Sequence, residues 1–577
     1  MAAAPPVAAP APPAPAPPAP DPAVSPVLPR WRTWALFGSL TLAYFVIGTV
    51  LVLRYNIFEP DAPNRVANAG FALFTRDPHL SAIGFVWNPL PSMAEIPLVW
   101  LSQWLPSLKY AGLAGVLQSA AFMAAAALLV RGIALDRGLG TWWRRLAVAA
   151  FALHPMIVLY GASGMSEAAM LCCLVWCCRY LMRWCEAGAI RDLAWAGVAL
   201  GVGYLARYEV LPAAIGVAVL VAAVSWLHTE PGRLRRSTVV LNVAIVLFPA
   251  VTAFLAWGVT GWIINDEFFA TLSSHYGNSS QNAGRLAALA GRDAGASWPV
   301  IVARLFGMQP LVLVSVAVAV LIAALRRRIT PLVPVLVFGS TLLFSVAAHH
   351  LSITFGWFRF YLAAIPMVVC VALACWGPAR AAARNTAAAV LLAAALVVAV
   401  PVTTPLIVDP DIAHGQLEQS FVSMVDPHTH PPQEEPSRRR LISERLLAQW
   451  LDRQHLPDGS VLMDTFLTWG IWLSSDNPRQ FVVTSDYDFA AALNRPWDHG
   501  IRYVIATNPN INVPDAINRR YPSMWDDGAG IAELVYSTVG TTADEMFRVY
   551  RVIGRPLIGL DEPGVSPGGA AAAPGRS

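Results

Sequence analysis

The chain has 577 residues, 56% of them hydrophobic and 13% charged, against roughly a quarter charged in a soluble domain. A soluble core cannot absorb that much apolar surface, so lipid is the implied solvent. The net charge of +4 is carried almost wholly by arginine, with Lys109 the only lysine, and makes no basic face aimed at nucleic acid.

Residues 1–30 are an Ala/Pro-rich string that cannot build a core, and we expect a disordered cytoplasmic tail. The apolar run at 33–53 follows Arg30 and Arg32 and lacks a small-residue cleavage site, so it reads as a retained first span rather than a signal peptide. Further apolar runs fall at 110–130, 146–160, 168–182, 193–205, 210–227, 239–264, 300–325, 332–348, 360–376 and 387–407. A span needs about 20 apolar residues, and these runs predict about eleven transmembrane helices.

Every second connection is basic: Arg131, Arg137, Arg144 and Arg145; Arg179, Arg183 and Arg191; Arg233, Arg235 and Arg236; Arg326, Arg327 and Arg328; Arg380 and Arg384. Cytoplasmic loops hold the excess of positive charge. The N-terminus is therefore expected in the cytoplasm of a multi-pass plasma-membrane protein, with the long connections 54–108 and 265–298 outside. Seven cysteines lie in or at the ends of the apolar runs, and Cys172, Cys173, Cys177 and Cys178 read as small-residue helix packing rather than a metal site. Gly197 and Gly201 read likewise as a small-xxx-small packing face.

Beyond the last run the composition turns soluble. An amphipathic helix is predicted over 437–454, with Leu441, Leu446, Leu447 and Trp450 on its apolar side, followed by strands at 459–466, 480–484, 501–507 and 532–538 and a helix at 489–493. The expected fold is thus an all-α polytopic membrane domain over 31–408, a small extracytoplasmic α/β domain over 409–561, and a disordered tail over 562–577.

The chemically rich segments all fall in the outer connections. Glu59 and Asp61 flank Pro60 just after the first span, where a partly desolvated carboxylate can take a proton from a hydroxyl attacking an activated carbon. Solvated loop charge is the plain alternative. Farther along, Asp77, His79, Trp87 and Asn88 mix ionisable groups with an interfacial aromatic. Glu167 follows a Gly/Ser turn, where it either caps a helix or binds a substrate hydroxyl. Arg207 and Glu209 flank Tyr208 at membrane depth, where charges are paired or functional. Arg359, close to Tyr361, can hold two phosphate oxygens or snorkel to the interface. Asp486-Tyr487-Asp488 resembles a metal-nucleotide motif only superficially, and His428 with His430 makes a poor metal site in a Pro-rich loop.

Taken in order, these motifs resemble the GT-C superfamily of membrane glycosyltransferases, near the dolichyl-phosphate-mannose mannosyltransferase and aminoarabinose transferase branch, especially its actinobacterial members. The resemblance covers roughly residues 34–366. It rests on Glu59-Pro60-Asp61-Ala62-Pro63-Asn64-Arg65, on Asp77-Pro78-His79 through Trp87-Asn88-Pro89, on residues 161–167 ending in Ser166-Glu167, on Arg207-Tyr208-Glu209, and on Arg359-Phe360-Tyr361 with Pro366. It implies a polyprenyl-phosphate-linked sugar as donor, inversion at the anomeric carbon, Asp61 as general base and Arg359 near the donor phosphate. Arg65, Asp77, His79, Trp87, Asn88, Glu167, Arg207, Glu209 and Tyr361 complete the expected substrate site. Pro60 separates Glu59 from Asp61, where many members have adjacent acids, so either carboxylate can be the base. The scheme calls for no cofactor and no metal ligand, although it leaves room for a divalent cation. Partners would be membrane lipid and an extracytoplasmic glycan, lipid or protein acceptor. A secondary transporter using Glu167, Arg207 and Glu209, or a non-catalytic envelope-assembly scaffold, are the competing readings.

Overall fold

A computed structural model describes residues 30–277, 279–281, 297–377, 382–435, 438–439, 441–510, 514–538 and 546–554. The two tails expected to be disordered, apart from Arg30, and Arg380 lie outside the described residues.

Among the described residues, eight helices are long and apolar enough to cross a membrane: Arg30–Tyr55, Leu113–Asp136, Glu167–Ala187, Val210–His228, Arg233–Asn265, Leu332–His350, Phe358–Cys375 and Asn385–Ile407. Trp298–Met308 and Val312–Arg326, bent by 73° at their junction, make a ninth if they form one span. Two of the eleven expected runs do not reach that length. The run at 146–160 is divided into Thr141–Ala152 and Pro155–Gly161, because Pro155 opens a new helix whose cap, His154, accepts from Met156 N. The run at 193–205 lies in Ile190–Ala206, which has 17 residues. Both pieces pack into the main helical core through Ala150, Phe151, Leu193 and Leu200.

Small residues let the helices approach closely. A Cβ on Gly197 would lie 2.6 Å from the carbonyl oxygen of Val246, and one on Gly201 2.7 Å from that of Pro249, so the helices Ile190–Ala206 and Arg233–Asn265 touch along the expected glycine face. Cys172, Cys173, Cys177 and Cys178 are buried, free thiols, and all but Cys173 belong to the main helical core.

Two shorter helices, Asp61–Phe74 and Leu90–Trp100, lie between the first and second spans in sequence. After the last span come Gln416–Val425, Ile442–Asp452 and a five-stranded sheet. Its strands β1 (Val461–Met463), β2 (Phe481–Val482), β3 (Tyr503–Thr507), β4 (Ala532–Ser537) and β5 (Phe547–Val552) stand in the order β2-β1-β3-β5-β4. The first three are parallel and β5 runs antiparallel to β3 and β4. Four of these strands and the helix Phe489–Asn494 fall where the sequence places them, while β5 was not expected. The amphipathic helix buries Leu447, Ala448 and Leu451 with Leu441 just before it, whereas Leu446 faces outward.

The sheet does not keep its core to itself. Val461, Met463, Trp472 and Phe481 share one apolar cluster with Val66, Phe71, Val99 and Val116. The α/β unit is therefore seated on these two shorter helices and the start of the second long span.

Candidate functional site

The helix Asp61–Phe74 begins immediately after Pro60, so Asp61 occupies its first turn, where the amide dipoles favour a negative charge. Four residues later, on the same side of the helix, comes Arg65. Both line a cleft of about 690 Å³ whose other walls include Trp87, Asn88, Arg207, Glu209, Thr271, Gln281, Phe355, Trp357 and Arg359.

Arg359 is the hub of the charges. Its guanidinium stands 2.7 Å from Glu59, 3.3 Å from Asp61 and 3.2 Å from Glu167, and its carbon lies 3.9 Å from the centre of the Trp357 ring. Arg207 forms a second hub, 2.9 Å from Glu167 and paired with Glu209. Four acids and two arginines thus make one continuous network, in which each charge has an opposite partner.

Arg65 differs from both. It is buried, its Nε and Nη1 have no hydrogen-bond partner, and among the described residues it forms no ion pair. Its guanidinium lies 4.5 Å from the centre of the Trp87 ring. Burial pulls its pKa below the usual guanidinium value, with Asp61 acting against that fall. The cleft therefore holds a cation whose donors are unspent.

The two candidate bases are distinguished by exposure. The Asp61 side chain is 34% exposed and faces the cleft, while that of Glu59 is 4% exposed. Glu59 is held from behind, where the backbone N–H of Leu417 donates to its Oε2 at 3.0 Å. Burial pushes its carboxyl up to about 7, against the pull of Arg359.

Not every expected residue reaches the cleft. Asp77 and His79 sit where the first outer connection meets the α/β unit: Asp77 accepts from Tyr487 N at 3.4 Å and His79 stacks on the Tyr487 ring at 4.6 Å. Neighbouring Arg76 pairs with Asp486 and Asp488, so the Asp-Tyr-Asp motif serves this contact. Tyr361 lies in the wall behind the cleft, its hydroxyl 2.9 Å from His349 Nδ1. Trp87, Asn88, Glu167, Arg207, Glu209 and Arg359 all lie in the cleft or its charge network. Among the described residues, no three His, Cys, Asp or Glu side chains converge at metal-ligand spacing.

Several contributors went unnoticed in the sequence. Thr271 and Gln281 come from a connection with no motif, and Phe355 and Trp357 form a stacked pair, 4.5 Å apart, just before Arg359. Gly356 sits between them at φ +65°, and a Cβ there would fall 2.2 Å from the His349 ring, so both the turn and the close approach require glycine. Glu418 reaches back from beyond the last span to accept from the Tyr160 hydroxyl at 2.6 Å. Glu95, fully buried behind the site, has no partner for either carboxylate oxygen. Burial lifts its carboxyl well above the usual range, against the pull of Arg65.

Residues 100–257 match the family model described as dolichyl-phosphate-mannose-protein mannosyltransferase. No curated protein matches the chain. The matched segment contains Glu167, Arg207 and Glu209 but ends short of Arg359 and begins after Asp61. Together with the apolar helices, it supports a multi-pass membrane protein of the GT-C glycosyltransferase type.

Proposed function

We propose that this GT-C-type membrane glycosyltransferase moves a sugar from a polyprenyl-phosphate donor to an acceptor hydroxyl, with Asp61 as general base and Arg65 as the main ligand of the donor phosphate. The observation that carries the reading is the cleft itself. It holds one accessible carboxylate, Asp61, and one guanidinium free of carboxylate partners, Arg65, on a single helical face.

In this scheme the acceptor oxygen attacks the anomeric carbon and Asp61 takes the hydroxyl proton. The bond from that carbon to the phosphate oxygen breaks, and the electron pair leaves on polyprenyl phosphate. Attack opposite the leaving group inverts the anomeric centre. The donor brings its own leaving group, so the protein's task is to position the reactants and balance charge. Arg65 supplies charge-assisted hydrogen bonds to the phosphate as negative charge builds there. Arg359, committed to Glu59, Asp61 and Glu167, fixes the Asp61 carboxylate and adds positive field beside the leaving group. Trp87 and Phe355 line the cleft with apolar surface against which a sugar ring can lie.

The topology belongs to the same reading: about eleven crossings, counting the two short segments, with a cytoplasmic N-terminus. The cleft and the α/β unit then face outside, on the side to which the arginine-poor connections belong. Incubation of purified protein with dolichyl-phosphate mannose and dolichyl-phosphate glucose tests the donor class. Release of either sugar that is lost in Asp61→Asn supports the reading, and release unaffected by that change contradicts it.

A further inference from the structure

The helix Thr465–Ser474 of the α/β unit supplies none of the lining residues of the cleft, yet it touches both sides of it. At its start, Asp464 caps the helix by accepting from Phe466 N at 2.9 Å and also accepts from the Tyr276 hydroxyl. Phe466 stacks on the Tyr276 ring, with centres 4.4 Å apart. Tyr276 belongs to the connection that gives the cleft Thr271 and Gln281, and its carbonyl accepts from Gln281 Nε2 at 2.7 Å.

At the other end of the same helix, Trp472 is fully buried against Phe71, ring centres 4.8 Å apart. It also fills the space above Gly70, where a Cβ would lie 2.5 Å from the indole ring. Lys109 pins the indole, its ammonium 4.6 Å from the ring centre and 3.1 Å from the Ser475 carbonyl oxygen. Gly70 and Phe71 belong to the helix that opens with Asp61 and carries Arg65. That helix is a short rod, so a displacement at Gly70 is carried to Asp61, about 14 Å away at 1.5 Å per residue.

We propose that the helix Thr465–Ser474 is a brace that sets the separation between Asp61 and the Thr271–Gln281 rim, making Trp472 and Asp464 positioning residues for sugar transfer. The proposal rests on the reading of Asp61 as base. The α/β unit is then part of the catalytic apparatus rather than an appendage. The crevice at the carboxyl ends of parallel strands, where open α/β sheets take ligands, is used here to grip the membrane domain, with Tyr276 occupying the end of β1.

The test uses the full-length protein in lipid nanodiscs, with dolichyl-phosphate mannose as donor probe and hydrogen exchange read over 61–74 and 270–281. Gly70→Ala is expected to lower kcat at least about tenfold, in line with the cost of small misplacements, with donor KM unchanged and faster exchange over 61–74. Trp472→Leu, which takes the indole off Phe71 and Gly70, should likewise lower kcat with donor KM unchanged and speed exchange over 61–74, and Trp472→Phe, which keeps an aromatic ring there, should retain more of both. Tyr276→Phe should speed exchange over 270–281 and lower kcat. Should Gly70→Ala fail to insert, Tyr276→Phe carries the test. Should the wild type leave this donor intact, the exchange results decide.

Wild-type exchange and kcat in Gly70→Ala, Trp472→Leu and Tyr276→Phe would overturn the proposal, as would a lower kcat in Gly70→Ala and Trp472→Leu with wild-type exchange over 61–74. Asp61→Asn separates the two readings. If it stays active while Gly70→Ala and Trp472→Leu are impaired, the base assignment fails and the brace stands; if it is dead while both are normal, the brace fails.

Discussion

Arg359 Nη2 stands 3.3 Å from Asp61 Oδ2, joining residues 298 positions apart in one cleft. The same guanidinium reaches Glu59 and Glu167, so a single side chain ties the helix Asp61–Phe74 to the start of two long helices. Removing it would strand buried carboxylates rather than merely weaken substrate binding.

Arg359→Gln should therefore destabilise the folded protein by about 3–5 kcal/mol, the usual cost of breaking a buried ion network from one side. Arg359→Lys should recover little of this, because a point charge cannot face three carboxylates as a planar fork does. Thermal unfolding in detergent, followed by tryptophan fluorescence, reads both.

Arg65→Gln should behave in the opposite way. Among the described residues Arg65 forms no salt bridge, and Asp61, Glu167 and Glu95 act on it only at longer range, so the fold should survive. Donor KM should rise about ten- to a hundredfold, matching the ~1.5–3 kcal/mol of a hydrogen bond to a charged group. Initial rates over a series of donor concentrations give KM and kcat separately; the part of the contact that strengthens as charge builds shows as a lower kcat, and wild-type values of both would contradict the assignment.

Glu59 carries a pH signature. Its carboxyl is raised from 4.5 to about 7 by burial, so the folded state binds more protons than the unfolded state between those values. Stability should then fall as pH rises from about 4.5 to about 7 and level off above that, since bound protons favour the state that holds them. Glu59→Gln should flatten that slope, as read from unfolding temperatures across the interval.

Much of this architecture is legible in the residues alone. Apolar runs of span length mark the membrane helices, Arg207 and Glu209 stand out because charge at membrane depth is costly, and Asp61 and Arg359 stand out as charges in short motifs next to apolar runs. The division at Pro155 was missed, since the apolar run continues across it without a change of composition. Asp77 and His79 were expected at the substrate because they flank a rigid, aromatic-rich loop, but their partner is Tyr487, 410 and 408 positions away, beyond the reach of any local pattern. Glu418 and Trp472 were invisible for the same reason: each works through contacts with helices hundreds of residues earlier. In the soluble-looking stretch after the last span, Leu462, Val482 and Val504 pack in a cluster of its own residues, while Val461 and Trp472 pack with Val66 and Val99 of the helices Asp61–Phe74 and Leu90–Trp100, a contact no local pattern announces.

Asp61→Asn, compared with Glu59→Gln, puts the central claim to the most direct trial. With a polyprenyl-phosphate sugar that the wild type consumes, the account predicts that Asp61→Asn cuts the rate of sugar transfer about 10²- to 10⁴-fold, the range for loss of a general base, while Glu59→Gln keeps more activity than Asp61→Asn. Transfer by folded Asp61→Asn at the wild-type rate would contradict it.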